Sequence, residues 1–361
     1  MIVKINFIRL ENFRNVEFAD VQLDAQNVWI HGQNAQGKTN LLEATGLLYA
    51  LRSFRTSEMS AMVRYGEKSA RVLAGISHET LGDCEVMVSI GDKRQAYIGD
   101  EEIKFSDFIG TFPALAMSNA DISLLRGSPE IRRKDSDMFI SSIDSDYFSE
   151  LKIYHGALAQ RNALLRIGSQ NVDEYLPFET QMAESASVIL SKRREKLGEL
   201  GELASKKYAI LAKENGENAE IKIKPNCDVQ TTDDFLKVLD DCRTKDIERR
   251  NTSHGPHRDD FKILIANKDA KIYASEGQQR SAVIALKLAQ FEAIKIAKNI
   301  TPTILCDDIL GELDTTRREA FWSCIDTQSQ VIATSTEQAP AINNRGTWKT
   351  LLVNNGTFSE Q

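Results

Sequence analysis

Apolar and polar residues alternate near both ends of the chain and recur at three- and four-residue spacing through its middle. Residues 2–12 alternate, and 16–23 form a second short run. The pair suggests two strands leading into a mixed sheet at the edge of an α/β lobe. Asn27-Val28-Trp29-Ile30-His31 reads as a compact apolar strand, and 40–48 behind it as a helix with one apolar face. Residues 71–103 predict three or four antiparallel strands, at 72–76, 84–90 and 96–98 with a Gly99-Asp100 turn, extending the first sheet or forming a second.

From Ser118 to about Lys245 the pattern is mainly helical. Residues 147–167 place Leu151, Tyr154, Leu158, Leu164 and Leu165 at helical spacing, and 178–214 do so with Met182, Val188, Ile189, Leu197, Leu200, Leu203 and Tyr208. A helix over 178–214 spans roughly 50 Å at 1.5 Å per residue, as a packed bundle helix or a projecting arm. Residues 219–223 start strand-like and Pro225 ends them. Residues 258–265 then read as a strand, a turn at Asn267 to Asp269 leads to Lys271-Ile272-Tyr273, and a helix opens at Gln278. Short buried strands at 303–306 and 330–334 precede a strand-turn-strand around Asn355-Gly356. The expected architecture is an α/β head built from both chain ends, residues 1–117 and 246–361, around a helical domain at 118–245.

Composition narrows this only a little. A hydrophobic share of 42% and a charged share of 27% are those of an ordinary soluble globular protein. No apolar run approaches the ~18 residues of a membrane span, and the opening residues read as a strand rather than a signal peptide. The five cysteines form no C-x-x-C pair, which argues for a reducing, cytoplasmic setting and against structural zinc. With a net charge of −7, contact with a polyanion would need basic residues concentrated locally. Lys192-Arg193-Arg194, Lys196, Lys206 and Lys207 read either as such a stripe or as a solvated helix face balanced by Glu195, Glu199 and Glu202.

Chemistry enters at Gly32-Gln33-Asn34-Ala35-Gln36-Gly37-Lys38-Thr39, a complete G-x-x-x-x-G-K-T between an apolar strand and a helix that opens at Asn40. That context makes a P-loop of it. Backbone N–H groups curl round a phosphate at a helix start. Lys38 is placed to reach the β/γ-phosphates of ATP, and Thr39 to offer its hydroxyl to Mg²⁺. The strand at 303–306 runs into Asp307-Asp308, a Walker B pattern in which Asp307 holds Mg²⁺ and Asp308 polarises the attacking water. Asp314 follows at the spacing of a D-loop, and Arg55 reads equally as a nucleotide contact and as a solvated loop arginine. Ser275, Gly277 and Gln278 lie at a helix N-terminus about 30 residues before the Walker B strand, which suits an anion-binding loop and also an ordinary helix cap.

Taken together these strings resemble the RecF family of DNA replication and repair ATPases. The resemblance rests on 32–40, Ser53-Phe54-Arg55-Thr56, Gly127-Ser128-Pro129 with Arg132-Arg133, Gln160-Arg161-Asn162, His254-Gly255-Pro256-His257-Arg258-Asp259-Asp260, 275–280 and 307–317, in family order over nearly the whole chain. This sequence departs at Glu276, at Gly311, at Asn119-Ala120 where a proline–acid pair is usual, and at Asp135-Ser136 where the family is apolar. The resemblance implies an ABC/SMC-type head with a helical arm and slow ATP hydrolysis. It implies a homodimer closed by ATP, in which the Ser275 loop serves the partner's nucleotide, and binding to single- and double-stranded DNA. It also implies work with RecR and RecO in placing RecA at gaps, and a part in the SOS response. Two other readings share the ATP motifs, a transporter ATPase subunit and a P-loop nuclease. The first is disfavoured by Thr334-Ser335-Thr336 where a switch histidine would stand, the second by the lack of room for a nuclease domain.

Overall fold

The alternating start folds as an antiparallel pair, β1 (Val3–Phe13) and β2 (Val16–Gln22). A register shift between Ile5 and Phe7 changes the parity of β1, so Val3 and Ile5 share a buried face with Ile8 and Leu10. The computed structural model describes residues 2–56, 58–212, 219–227, 229–340 and 345–361. The chain divides into two units, 1–121 with 210–213 and 287–361, and 122–209 with 214–286.

In the first unit β3 (Asn27–His31) leaves β1 and β2 behind. The strands β4 (Ala70–His78), β5 (Gly82–Ile90), β6 (Arg94–Ile98) and β7 (Glu101–Ile103) extend the β1–β2 pair instead, in the order β2-β1-β4-β5-β6-β7. The expected mixed sheet is therefore two sheets. β3 joins β8 (Ala114–Ser118) and four strands from the other end of the chain. Its own sequence gives the reason: Val28, Trp29 and Ile30 are all buried, so both faces of β3 are covered, as parallel strands require. The helix Lys38–Ala50 has ten buried residues among its thirteen, and Leu41, Leu42, Leu47 and Leu48 lie in one apolar cluster with residues of both sheets. It is buried nearly all round, not on one face, with Lys38, Glu43 and Thr45 among the buried residues.

The second unit holds the helices Pro129–Ile143, Ser145–Ile167, Val172–Leu211 and Thr232–Arg249 and a small sheet of β9 (Ala219–Lys224), β10 (Asp260–Ile265) and β11 (Lys268–Asp269). The long helix starts six residues before Phe178 and runs through Pro177, which has no N–H to offer the Asp173 carbonyl one turn back; the predicted end at Glu214 lies outside the described residues. Residues 246–286, expected in the head, stay in this unit because β10 pairs with β9. Residues 270–273 form a helical turn rather than a strand, started by Asp269, whose carboxylate accepts the Lys271 N–H at 3.1 Å. The helix Glu276–Lys298 opens two residues before Gln278.

The family-specific strings build the polar interior of this unit. Arg161 is fully buried and donates to Glu179 at 2.9 Å, Asp246 at 2.8 Å and Thr252 at 2.8 Å. Arg193, 4% exposed, donates to Asp137 at 2.7 Å and Asp259 at 2.9 Å. Arg132 grips Asp260 with two bonds, at 2.6 and 3.0 Å. Three members of the basic stripe are thereby engaged: Arg193 faces inward, Lys192 is paired with Asp144 and Lys196 with Glu195 and Glu199. Polar Ser136 fits the interior because its hydroxyl donates to the Arg133 carbonyl at 3.0 Å.

His257 of the G-P-H-R-D-D string lies between the Tyr154 hydroxyl, 2.7 Å from Nδ1, and the Thr252 carbonyl, 3.2 Å from Nε2. Burial first, then the neighbouring Arg258, His155 and Arg133, push its pKa down to about 4. The unfolded chain binds this proton near pH 6.5, so the stability is present above pH 6.5 and is lost as pH falls toward 4. Between pH 7 and 5 the loss is about 2 kcal/mol, roughly 3 °C in melting temperature. His257→Gln, compared with wild type by thermal melts at the two pH values, is expected to shed that part of the pH dependence. Equal dependence in both proteins would show that His257 titrates normally.

Candidate nucleotide-binding site

The parallel sheet is completed by β12 (Thr303–Asp307), β13 (Val331–Ser335), β14 (Lys349–Asn354) and the antiparallel β15 (Thr357–Glu360), in the order β15-β14-β3-β13-β12-β8. Ligands of open α/β sheets sit outside the carboxyl ends of such strands. The loop Gly32-Gln33-Asn34-Ala35-Gln36-Gly37 leaves the end of β3 there, and Asp307 ends β12 two strands away. β13 lies between them.

Gly32 has to be a glycine, since a Cβ there would stand 2.5 Å from the Val353 carbonyl oxygen. Gly37, at φ 115°, caps the helix that opens at Lys38. Lys38 is 6% exposed and its ammonium donates to the carbonyls of Gly32 at 2.6 Å and Gln33 at 2.9 Å. Burial lowers its pKa, against the pull of the Asp308 and Asp307 carboxylates. A lysine so placed faces the hollow of the loop at little cost in reorientation.

Thr39 donates its hydroxyl to Asp307 Oδ1 at 2.9 Å, and Thr334 on β13 donates to the same oxygen at 2.8 Å. Burial raises the Asp307 pKa, with both hydroxyls and Arg55 working the other way. Asp308 turns off the strand at φ 57°, with its N–H on the carbonyl and hydroxyl oxygens of Thr334, both at 3.2 Å. The predicted P-loop, Asp307 and Asp308 are thus brought together. Asn40 bonds Asn15 of the β1–β2 turn at 2.7 Å and accepts from Arg55 at 2.8 Å. Arg55 also pairs with fully buried Glu43 at 3.1 Å, which Arg14 grips with two bonds. Arg55 is therefore exposed but tied to the helix that follows the loop.

Other predicted residues have local partners. Asp314 caps the helix Thr315–Ser323, accepting the Arg317 N–H at 2.8 Å. The side chain of Glu312, in the same stretch, lies outside the described residues. In the second unit Ser275 and Gln278 form a capping box: Ser275 Oγ accepts the Gln278 N–H at 3.3 Å, and Gln278 Oε1 accepts the Ser275 N–H at 2.7 Å. Gly277 lies in the first turn they cap. Buried Gln279 braces the loop, its amide donating to the Ala270 carbonyl at 3.0 Å and its oxygen accepting from Arg126 at 2.7 Å. Glu276 is flanked by Arg280 at 3.4 Å and Arg126 at 3.8 Å.

Sequence reasoning missed Thr334 and Asn119, whose amide lies 3.4 Å from the Asp308 carbonyl. Thr334 closes an apolar strand, a signal read only for the histidine that does not follow it.

Comparisons with known proteins give the family. The RecF/RecN/SMC N terminal domain family matches residues 4–358. The DNA replication and repair protein RecF of Leptospira interrogans serovar Lai is 36% identical over 341 residues, 92% of each chain. That of Streptococcus thermophilus is 33% identical over 98% of each. A solved structure described as the recombination mediator protein RecF-ATP in the RecFOR pathway aligns with a TM-score of 0.91 at 29% identity, covering 99% of this chain and 98% of that one. The Smc head domain of Pyrococcus furiosus, described with an extended coiled coil and bound to the C-terminal domain of ScpA, aligns at 0.53 and 16% identity, a likeness of fold alone.

Proposed function

Because this chain belongs to the RecF family, within the RecF/RecN/SMC proteins, we propose that it is an ATP-switched DNA-binding protein of replication and recombinational repair. The observation that carries the reading is the bond from Thr39 to Asp307 at 2.9 Å, which joins loop and strand end into one oxygen donor pair. A hydroxyl and a carboxylate suit Mg²⁺, which takes one or two protein oxygens and fills its octahedron with phosphate oxygens and water. In this reading Lys38 and the amides of 33–39 hold the β/γ-phosphates, Thr39 and Asp307 hold Mg²⁺, and Asp308 assists the attacking water. Mg²⁺ supplies charge neutralisation on the phosphates. Thr334 holds the Asp307 carboxylate and the Asp308 backbone in place.

The Ser275 loop serves the nucleotide of a second copy, with the Ser275 hydroxyl and the amides of Gly277 and Gln278 facing its γ-phosphate, and Asp314 beside it. Arg126 and Arg280 support this by offsetting Glu276, which otherwise repels phosphate. Closure of two copies on ATP pairs two weak DNA surfaces and raises avidity without new contacts. Slow hydrolysis reopens them. By family, the DNA is gapped or carries single- and double-stranded parts, and the dimer acts with RecR and RecO to load RecA in the SOS response.

Light scattering with ATP and Mg²⁺ tests this. The mass should rise from 40.4 kDa toward twice that value. Asp308→Asn, which binds ATP and turns it over slowly, should hold the dimer. Ser275→Arg should stay monomeric with its ATP binding intact, and its DNA affinity should lose its dependence on ATP. ATP-dependent DNA binding by a strictly monomeric Ser275→Arg protein would defeat the clamp and leave the ATPase reading standing.

A further inference from the structure

We propose that the turn between β14 and β15 is a clip that fixes the curvature of the phosphate loop, with Gln36 as its positioning residue; the inference rests on the nucleotide-site reading above. Ala35 has φ 64°, a left-handed conformation that a residue with a Cβ keeps only where its surroundings over-determine it. The determining contacts fall on the next residue. The Gln36 carbonyl accepts the Gly356 N–H at 2.8 Å, and Gln36 Oε1 accepts the Asn355 N–H at 2.7 Å. The two donors are consecutive amides of one turn, itself built on positive φ at Asn355 (46°) and Gly356 (77°). The same hairpin meets the loop at both ends. A Cβ at Gly32 would stand 2.5 Å from the Val353 oxygen, and one at Gly37 would stand 3.5 Å from Gly356 Cα.

Nothing in G-x-x-x-x-G-K-T asks for a glutamine in the position before the second glycine. The motif needs only that the loop amides converge. In this chain the convergence is held from outside by a hairpin more than 300 residues away in sequence. A loop held this way meets a phosphate with less left to order, and that difference appears as affinity.

The test is a titration of a fluorescent ATP analogue, with ADP as competitor, on the full chain, alongside thermal melts and amide hydrogen exchange over 33–37. Gln36→Ala keeps the backbone acceptor and loses the side-chain one. It should bind both nucleotides about tenfold more weakly, the effect of one good hydrogen bond. Its amide exchange over 33–37 should quicken while its melting temperature without nucleotide holds. One glycine inserted between Asn355 and Gly356 displaces both donors and should give the same loss. The two changes combined should cost about tenfold rather than a hundredfold, as coupled sites do. Asn355→Gly keeps its N–H and its positive φ, so it should keep wild-type affinity.

Lys38→Ala in the same titration separates the two levels of the argument. If it binds like wild type, the nucleotide-site reading fails. If it loses binding while Gln36→Ala and the insertion keep wild-type affinity and exchange, the clip is overturned. Additive losses would also overturn it, by giving Gln36 a direct contact with nucleotide. Should Gln36→Ala melt early, the insertion decides alone: wild-type affinity in it removes the clip.

Discussion

Lys38→Ala is expected to lose ATP binding by at least about a hundredfold. A charge-assisted bond to phosphate contributes roughly 3 kcal/mol, and each 1.4 kcal/mol is tenfold in affinity. Lys38 is the cation that the loop itself carries inward, buried and already turned onto the carbonyls of Gly32 and Gln33. Truncation leaves those carbonyls without their donor and the phosphates without their counter-charge. Lys38→Arg is not a rescue, because a planar fork does not fit where a compact ammonium reaches two carbonyls at 2.6 and 2.9 Å. Calorimetric titration with ATP and Mg²⁺ checks this. Unchanged affinity would remove the P-loop assignment and everything built on it.

The second large effect is on stability. Arg161→Met should destabilise the protein by about 3–5 kcal/mol, the usual result of breaking a buried ion pair from one side. Glu179 and Asp246, 1% and 0% exposed, would lose the guanidinium they share. Arg243 still reaches Glu179 at 2.5 Å, so Asp246 is the carboxylate left stranded, with hydroxyl and amide donors only at Ser253. Thermal unfolding should move down by roughly 5 °C. Arg161→Lys should recover little of it, since one ammonium cannot bridge two carboxylates set apart by a fork. A shift below about 2 °C, well under the 3–5 kcal/mol expected, would mean that the triad is relaxed or hydrated.

These effects mark what the sequence made legible. The phosphate loop and Asp307-Asp308 were readable because their chemistry is local: a glycine turn between strand and helix, and acids at a strand end. Gln160-Arg161-Asn162 and the G-P-H-R-D-D string signalled a family but not their task, which is to satisfy one another in an interior. Arg193 illustrates the difficulty. Its neighbours Lys192 and Arg194 suggest a basic surface, and only the approach of Asp137 and Asp259, at distant positions in sequence, turns it inward. Periodicity finds the buried face of a helix by its apolar residues and passes over a buried arginine among charged ones. The strand at 2–12 was likewise found, but its sheet was not, since pairing partners leave no trace in a strand's own pattern.

The placement of β3 has a consequence in time. Its two sheet neighbours are β13 and β14, so the strand that launches the phosphate loop waits for partners made some 300 residues later, from His31 to Val331. At 5–20 residues per second that wait is on the order of half a minute. The sheet of β1, β2, β4 and β5 needs nothing beyond Ile90 and is free to form first. A nascent chain therefore emerges from the ribosome with Lys38 exposed early and unable to grip a phosphate, and competence for nucleotide waits for the β14–β15 hairpin.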